Sequence, residues 1–279
     1  MIGLWPRLIV VMFNYDHRRS KTFKNSAIGV KLITNRFWKI LLSTFAIIFV
    51  SGTAYALAVP GPHKALCPAC YGLTEIAPNV FTDDANRVHE ISAMVERSRN
   101  TTQRFFGRNL SSPRMILCAT DECNSIFTDS IIRGVAYGSR LIRVSPEGLN
   151  ETIITHELTH TEVFKRQERL GVFATLGGAI PAWFNEGLAV HLSKDDRFKG
   201  NADQENMIWA LEFKTYGDWS DRVTRDNWPD AYDSSFALVK HLIAEIGEEG
   251  LRQLIEDVTL SDVDFYEAIA PHLKKIISS

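Results

Sequence analysis

The order of apolar and polar residues predicts helices and short strands in the part of the chain that follows residue 82. Apolar residues recur at helical spacing between 83 and 106, which predicts a long amphipathic helix there. The apolar run at 114–118 predicts a strand, and the alternating run at 134–144 predicts another strand or two.

The second half of the chain has the pattern of a helical assembly. Residues 149–170 contain no Pro or Gly, and their apolar positions predict a helix from about 150 to 169. Pro181 suits the start of a second helix, and a third is expected from about 231. After a break at 247–250, two short closing helices are expected at 251–258 and 261–269, with Ser261 as an N-cap. A small sheet followed by these helices predicts an α+β fold.

The first of these helices carries the most specific chemical pattern in the chain, H-E-x-x-H at 156–160. Residues four apart share one face of a helix, so the imidazoles of His156 and His160 can bind one metal ion together. The carboxylate of Glu157 can then reach a water at that ion and act as general base. The alternative is a surface helix with two solvated histidines, which the apolar residues around the motif disfavour.

A zinc hydrolase needs a third protein ligand and a position that stays open to water. The metzincin extension fails, because Val163 and Arg166 stand where it needs Gly and His, and the inverted order H-x-x-E-H is absent. The segment 183–189, Trp-Phe-Asn-Glu-Gly-Leu-Ala, resembles the W-x-N-E-G-x-A signature of the gluzincin metallopeptidases. That group includes the thermolysin-like and aminopeptidase families. The resemblance is close over 153–193 and looser over about 110–270, as in a small member of the group.

The resemblance implies a zincin-like fold, in which one Zn²⁺ ion is held by His156, His160 and Glu186. It also implies an edge strand before the metal-binding helix, at 135–144, that an extended peptide can join, with an ordinary core strand as the alternative. The alternative for Glu186 is a charged surface residue. The interval between His160 and Glu186 is longer than in the aminopeptidase-like members, and the G-x-M-x-N exopeptidase loop is missing. Aminopeptidase specificity is therefore not predicted.

The segment 232–242 resembles the Y-x-x-S-x-x-x-V-x-x-L helix of small gluzincin-like peptidases. The resemblance implies that Tyr232 donates a hydrogen bond to the oxyanion of the tetrahedral intermediate. The alternative is a residue that only packs. Asp195 and Asp196 are candidates to orient a zinc-binding imidazole, against the alternative of a solvated loop. His191 and His241 are expected to be surface or packing residues.

The first 39 residues are strongly basic, and an uncharged stretch follows them. They hold eight Lys or Arg residues against one acid, Asp16, and residues 40–60 are long enough to cross a bilayer as a helix. We expect a basic cytoplasmic leader at 1–39, a single-pass membrane anchor at 40–60, and a catalytic domain outside the cytoplasm, periplasmic in a bacterium. The alternative is a secretory signal cleaved near Ala56, which would release the protein.

Charge differs sharply across this uncharged stretch. The leader carries about +7 and the remainder about −9, within a total of −2. An acidic outer domain argues against nucleic acid as a partner, and the basic leader is better explained by topology and anionic lipid.

All four cysteines follow the apolar stretch. An even count outside the cytoplasm suggests disulfides, and the local pairs Cys67–Cys70 and Cys118–Cys123 are the simplest of three connectivities. A structural metal site and free thiols are the alternatives. The C-x-x-C form at 67–70 also occurs in redox sites, although the βαβ pattern of a thioredoxin-like domain is missing around it.

These patterns predict a linker or irregular segment at 61–82 and a gluzincin-like metallopeptidase domain at 83–279. The expected function is zinc-dependent hydrolysis of a peptide or protein substrate. One alternative is a catalytically silent zinc-binding scaffold of the same fold, which an intact Glu157 disfavours. Another is a secreted, disulfide-bonded binding module in which the H-E-x-x-H pattern is accidental.

Overall fold

A computed structural model describes residues 37–45, 60–171, 178–261 and 263–277 of the chain. The chain divides into two units, 1–55 and 56–279, and the first is described only by a helical segment at 37–45. The predicted leader at 1–39 and membrane segment at 40–60 therefore lie largely outside the described residues. Within the described ranges, no helix is both long enough and apolar enough to cross a membrane.

The second unit contains a five-stranded mixed sheet. Its strands are β1 (Thr74–Ala77), β2 (Val80–Thr82), β3 (Arg114–Leu117), β4 (Gly134–Tyr137) and β5 (Leu141–Val144). Their order is β1-β2-β3-β5-β4, with β2, β3 and β5 parallel and both edge strands antiparallel to their neighbours. The predicted edge at 135–144 is thus β4 alone, because β5 lies between β3 and β4.

Helices dominate the rest of the described chain, and the expected α+β class is confirmed. They are α1 (Val88–Phe106), α2 (Asp121–Phe127), α3 (Glu151–Gln167), α4 (Ala182–Ser193), α5 (Gln204–Ala210), α6 (Tyr216–Arg222), α7 (Trp228–Leu260) and α8 (Phe265–Ile277). The predicted break in the last third is a kink within α7, where Gly247 has a φ of 75°.

Helix α3 lies between the sheet and the helical half, and it packs on both. On its sheet side, Leu158 belongs to an apolar cluster with Met115 and Ile142 of the strands and residues of α1. On its other side, Val163 belongs to a larger cluster around Trp183 that includes α4, α7 and α8. The helix with the H-E-x-x-H pattern is therefore held from two directions, which fixes the direction of its side chains.

The interval 61–82, predicted to be a linker or irregular, is part of the folded unit. It contains two 3₁₀ turns, Pro62–Leu66 and Pro68–Tyr71, and the strands β1 and β2. Strands of three or four residues are too short for a clear alternation of apolar and polar residues, so the sequence pattern missed them.

The closing helices also differ from the prediction. Residues 251–258 are the end of α7, and α8 begins at Phe265 instead of after Ser261. Asp264 caps α8, because its Oδ1 accepts a hydrogen bond from the backbone N–H of Glu267 at 2.9 Å. Asp and Ser are both good N-caps, so residue type alone does not choose between Ser261 and Asp264.

Candidate metal centre

The first two candidate ligands lie on α3, whose start is set by a local cap. Oδ1 of Asn150 accepts a hydrogen bond from the backbone N–H of Ile153 at 3.0 Å. One turn apart along the helix, His156 and His160 have ring centroids 4.7 Å apart. Each is only 6% exposed, so the alternative of two solvated histidines is wrong.

The third candidate, Glu186, is buried on α4 with 4% exposure, which excludes a charged surface residue. Pro181 occupies the N-cap position just before this helix. The next residue after the candidate ligand, Gly187, has a packing reason to be glycine. A Cβ there would stand 2.2 Å from the backbone oxygen of Ser235 on α7. The glycine thus lets α4 approach the helix that carries Tyr232.

The three candidate ligands converge on one point. Oε2 of Glu186 lies 3.3 Å from Nε2 of His156 and 3.4 Å from Nε2 of His160. Two donor atoms that each bind an ion at about 2.0–2.1 Å, at a tetrahedral angle, lie about 3.3–3.4 Å apart. The group could therefore hold one metal ion, and it is the one such group of His, Cys, Asp or Glu found among the described residues.

The charges of this group interact strongly because all of its members are buried. Burial by itself would lower the pKa of His160, but the nearby carboxylates, Glu186 first among them, raise it to about 9. Burial would raise the pKa of Glu186, whereas the two imidazoles hold it well below its usual range. Glu186 is thus held in the ionised form that a metal ligand requires.

Glu157 is buried beside the ligands and lies against the edge strand β4. Burial raises the pKa of its carboxyl, and the imidazoles of His156 and His160 oppose that rise only in part. A Cβ at Gly134 would stand 2.5 Å from Oε1 of Glu157 and 2.7 Å from a methyl carbon of Ile153. The absent side chain of Gly134 leaves the space that the Glu157 carboxylate occupies.

Two further residues contact the group, and the sequence did not indicate a role for them. Oδ1 of Asn185 lies 3.0 Å from Nδ1 of His160, and Nδ2 of Asn185 donates to the hydroxyl of Tyr216 at 2.9 Å. When Nδ1 of His160 donates to this amide oxygen, Nε2 is the ring nitrogen left to bind a metal ion. Asn185 belongs to the N-E-G segment, so the motif contained it. A capping box predicts the start of α6, but no local signal indicates that Tyr216 lies at this group.

Tyr232 lies at the same group and also packs. Its ring centroid is 6.0 Å from that of His156, and it stacks on Phe198 at 5.2 Å. Burial raises the pKa of its phenol well above the usual value, and the negative charge of Glu186 raises it further. The hydroxyl therefore stays protonated and can donate a hydrogen bond.

Asp195 is buried, with 3% exposure, so the solvated-loop alternative is wrong for it. Its Oδ1 accepts a hydrogen bond from Nε of Arg197 at 2.8 Å, and this ion pair outweighs burial and lowers the pKa of the Asp195 carboxyl. The predicted orienting role is wrong among the described residues, because Nδ1 of His156 has no hydrogen-bond partner there and Nδ1 of His160 contacts Asn185. Its neighbour Asp196 is exposed, as expected for a loop.

The other histidines named from the sequence make contacts outside the group. Nε2 of His191 lies 2.7 Å from Oε1 of Glu248, and Nε2 of His241 lies 2.8 Å from the backbone oxygen of His272. Both histidines therefore have the surface or packing positions that were expected from the sequence.

The residues just before β4 have exposed apolar side chains. Ile131 is 82% exposed and Ile132 is 57% exposed. The backbone oxygen of Ile132 accepts a hydrogen bond from Nη2 of Arg143 at 3.2 Å, and Nη1 of the same buried arginine donates to Oδ1 of Asn124 at 2.6 Å. Arg143 therefore holds the segment that leads into β4.

Comparison of the chain with protein-family models, with curated proteins and with solved structures finds no match.

Proposed function

We propose that the protein is a metal-dependent peptidase of the gluzincin type, with His156, His160 and Glu186 as ligands of one Zn²⁺ ion. The observation that carries the proposal is the separation of the donor atoms, 3.3 and 3.4 Å from Glu186 to the two imidazoles. Donors at these distances suit one four-coordinate ion. Two imidazole nitrogens and one carboxylate oxygen are also the donor set of hydrolytic zinc sites.

When bound, a zinc ion lowers the pKa of a water in its open position and polarises a substrate carbonyl. The chain supplies the proton transfer. Glu157 lies next to His156 on α3, and burial raises the pKa of its carboxyl, which makes the carboxylate a stronger base. In the proposed reaction Glu157 takes a proton from the attacking water and delivers it to the leaving amine. Gly134 leaves room for its carboxylate.

Tyr232 is the proposed donor to the oxyanion that forms when water attacks the scissile carbonyl. Its phenol faces the group and is held protonated by burial and by the charge of Glu186. Phe198 stacks on its ring and limits its motion. A donor that is held in place before the reaction needs no reorganisation when the negative charge develops.

The proposed substrate is a peptide or protein that binds in extended form along β4. This strand pairs only with β5 among the described residues, so its other side can accept hydrogen bonds from a peptide. The strand begins at Gly134, where the backbone lies against Glu157. A peptide aligned with β4 would therefore pass the proposed general base. The exposed side chains of Ile131 and Ile132 offer it an apolar contact.

The proposed place of action is outside the cytoplasm, on a membrane anchor formed by residues 40–60 or after release near Ala56. Two disulfides support an oxidising compartment, because such bonds are rare in the cytosol.

The test is a digest of a broad peptide library by the purified protein, with and without a chelator, together with analysis of its metal content. We expect turnover that the chelator abolishes and one zinc ion per chain. Glu157→Gln should keep the metal and lose at least about 100-fold in turnover, since it lacks the general base. Glu186→Gln is the matched variant that should lose metal as well.

Three results would change the assignment. A Glu157→Gln variant as active as the parent would exclude the mechanism. A protein that binds zinc but cleaves nothing in the library would be the silent scaffold. A protein without bound metal, also after addition of zinc, would remove the metal-site proposal altogether.

A further inference from the structure

The two disulfides of this chain differ in their surroundings. Cys118 and Cys123 are buried, with 0% and 3% exposure, and belong to an apolar cluster behind the sheet. Cys67 and Cys70 are both exposed. A disulfide opens by attack of a thiolate on one of its sulfurs, so access decides which of two disulfides exchanges. Only the Cys67–Cys70 bond offers that access in the described part of the chain.

The turn around the exposed pair is held without its disulfide. The backbone N–H of Cys70 donates to the oxygen of Cys67 at 3.0 Å, and the N–H of Leu73 donates to the oxygen of Pro68 at 3.2 Å. Pro68 and Leu73 are themselves buried. The disulfide therefore closes a loop that backbone bonds and packing already close. Opening it leaves the two thiols next to each other and ready to form the bond again.

Contacts from β3 and from the first 3₁₀ turn further hold the turn that carries Cys67 and Cys70. Nη1 of Arg114 donates to the backbone oxygens of Ala65 and Leu66, at 2.6 and 3.2 Å, directly before Cys67. Nζ of Lys64 lies 5.4 Å from the ring centroid of Tyr71, directly after Cys70. These contacts hold the chain on both sides of the pair, so the turn keeps its place when the disulfide opens.

We propose that Cys67–Cys70 is a redox-exchanging site, and that its partner is a protein dithiol of the C-x-x-C oxidoreductase class. A thiolate of the partner attacks one sulfur of the pair, forms a mixed disulfide, and releases the other cysteine as a thiolate that takes up a proton. The second thiol of the partner then loses its proton and attacks the partner's own sulfur in the mixed disulfide. This forms the partner disulfide and releases the remaining cysteine of this chain, which also takes up a proton. Two electrons and two protons pass to Cys67 and Cys70. Cys118–Cys123 is a structural bond that takes no part.

The first test follows the opening of each disulfide in the native, full-length protein. Dithiothreitol is added in graded amounts, free thiols are trapped with an alkylating reagent, and each cysteine is quantified by mass spectrometry. We expect Cys67 and Cys70 to open at least about tenfold faster than Cys118 and Cys123, because only the exposed pair can be reached. Circular dichroism and the melting temperature should change little when the exposed pair alone is open, and oxidised glutathione should close it again.

Equal opening rates for the two bonds would overturn the proposal, and so would loss of the fold when Cys67–Cys70 alone is reduced. The matched variants are C67S/C70S and C118S/C123S. The first should melt near the parent temperature, and the second should be destabilised or fail to fold. The reductant titration of the parent protein decides the question even where a variant fails to fold.

The second test uses a thioredoxin-type protein without its resolving cysteine as the probe. We expect it to form a trapped mixed disulfide with the parent chain and none with C67S/C70S. Trapping of equal amounts by both proteins, or by neither, would refute the assignment of the partner class.

Discussion

Gly187→Ala tests whether the approach of α4 to α7 builds the metal centre. The new Cβ would stand 2.2 Å from the backbone oxygen of Ser235, whereas a carbon and an oxygen in ordinary contact lie about 3.3–3.6 Å apart. The two helices must therefore separate by about 1 Å. Such overpacking costs about 1–3 kcal/mol, and it moves Glu186, the preceding residue, away from the imidazoles.

Gly217→Ala is the matched control. Gly217 lies in α6, is exposed, and its Cβ would meet only a side-chain oxygen of Thr215, at 3.3 Å. In a helix, Ala is about 1 kcal/mol more favourable than Gly. Both glycines lie in helices, so the gain in helix propensity is common to the two variants and cancels. We therefore expect their free energies of unfolding to differ by about 1–3 kcal/mol, the cost of overpacking alone. For a domain of this size, that corresponds to roughly 2–12 °C in melting temperature.

The assay combines calorimetric melting with metal analysis of the purified variants. We expect Gly187→Ala to melt below the Gly217→Ala control and to retain less zinc. Gly217→Ala should melt at or slightly above the parent temperature and hold as much zinc as the parent protein. If Gly187→Ala is as stable as the Gly217→Ala control and holds a full complement of metal, then close packing on Ser235 does not set the position of Glu186.

Three more substitutions test other contacts. Gly134→Ala should lower turnover by up to about 100-fold with metal content unchanged, since its Cβ would stand 2.5 Å from Oε1 of Glu157 and displace the carboxylate. Steady-state kinetics checks this, and full activity would contradict it. Glu162→Gln should reduce stability to urea by about 3–5 kcal/mol, because buried Arg166 would lose its countercharge. If the free energy of unfolding falls by less than about 1 kcal/mol, buried Arg166 does not depend on the negative charge of Glu162. Tyr216→Phe should weaken zinc retention about tenfold in chelator competition, because the amide that contacts one imidazole loses its own partner. Unchanged zinc retention would count against this orienting role.

Local geometry explains why part of the centre could be predicted from the sequence. The common face of His156 and His160 follows from the helical period, and no other part of the chain has to be known for it. Glu186 came from a short motif that the resemblance supplied. The local disulfides followed from spacing, because each joins cysteines no more than five residues apart.

The tertiary structure decided the contacts that join distant segments. Asn185 donates a hydrogen bond to Tyr216, which is 31 residues away in the chain. Gly134 on β4 lies against Glu157 on α3. Asp195 follows its helix as a loop residue would, and only packing shows that it is buried. Periodicity and spacing determine which residues share one face of one element. They carry no information on how two elements pack, because that depends on the fit of many side chains at once.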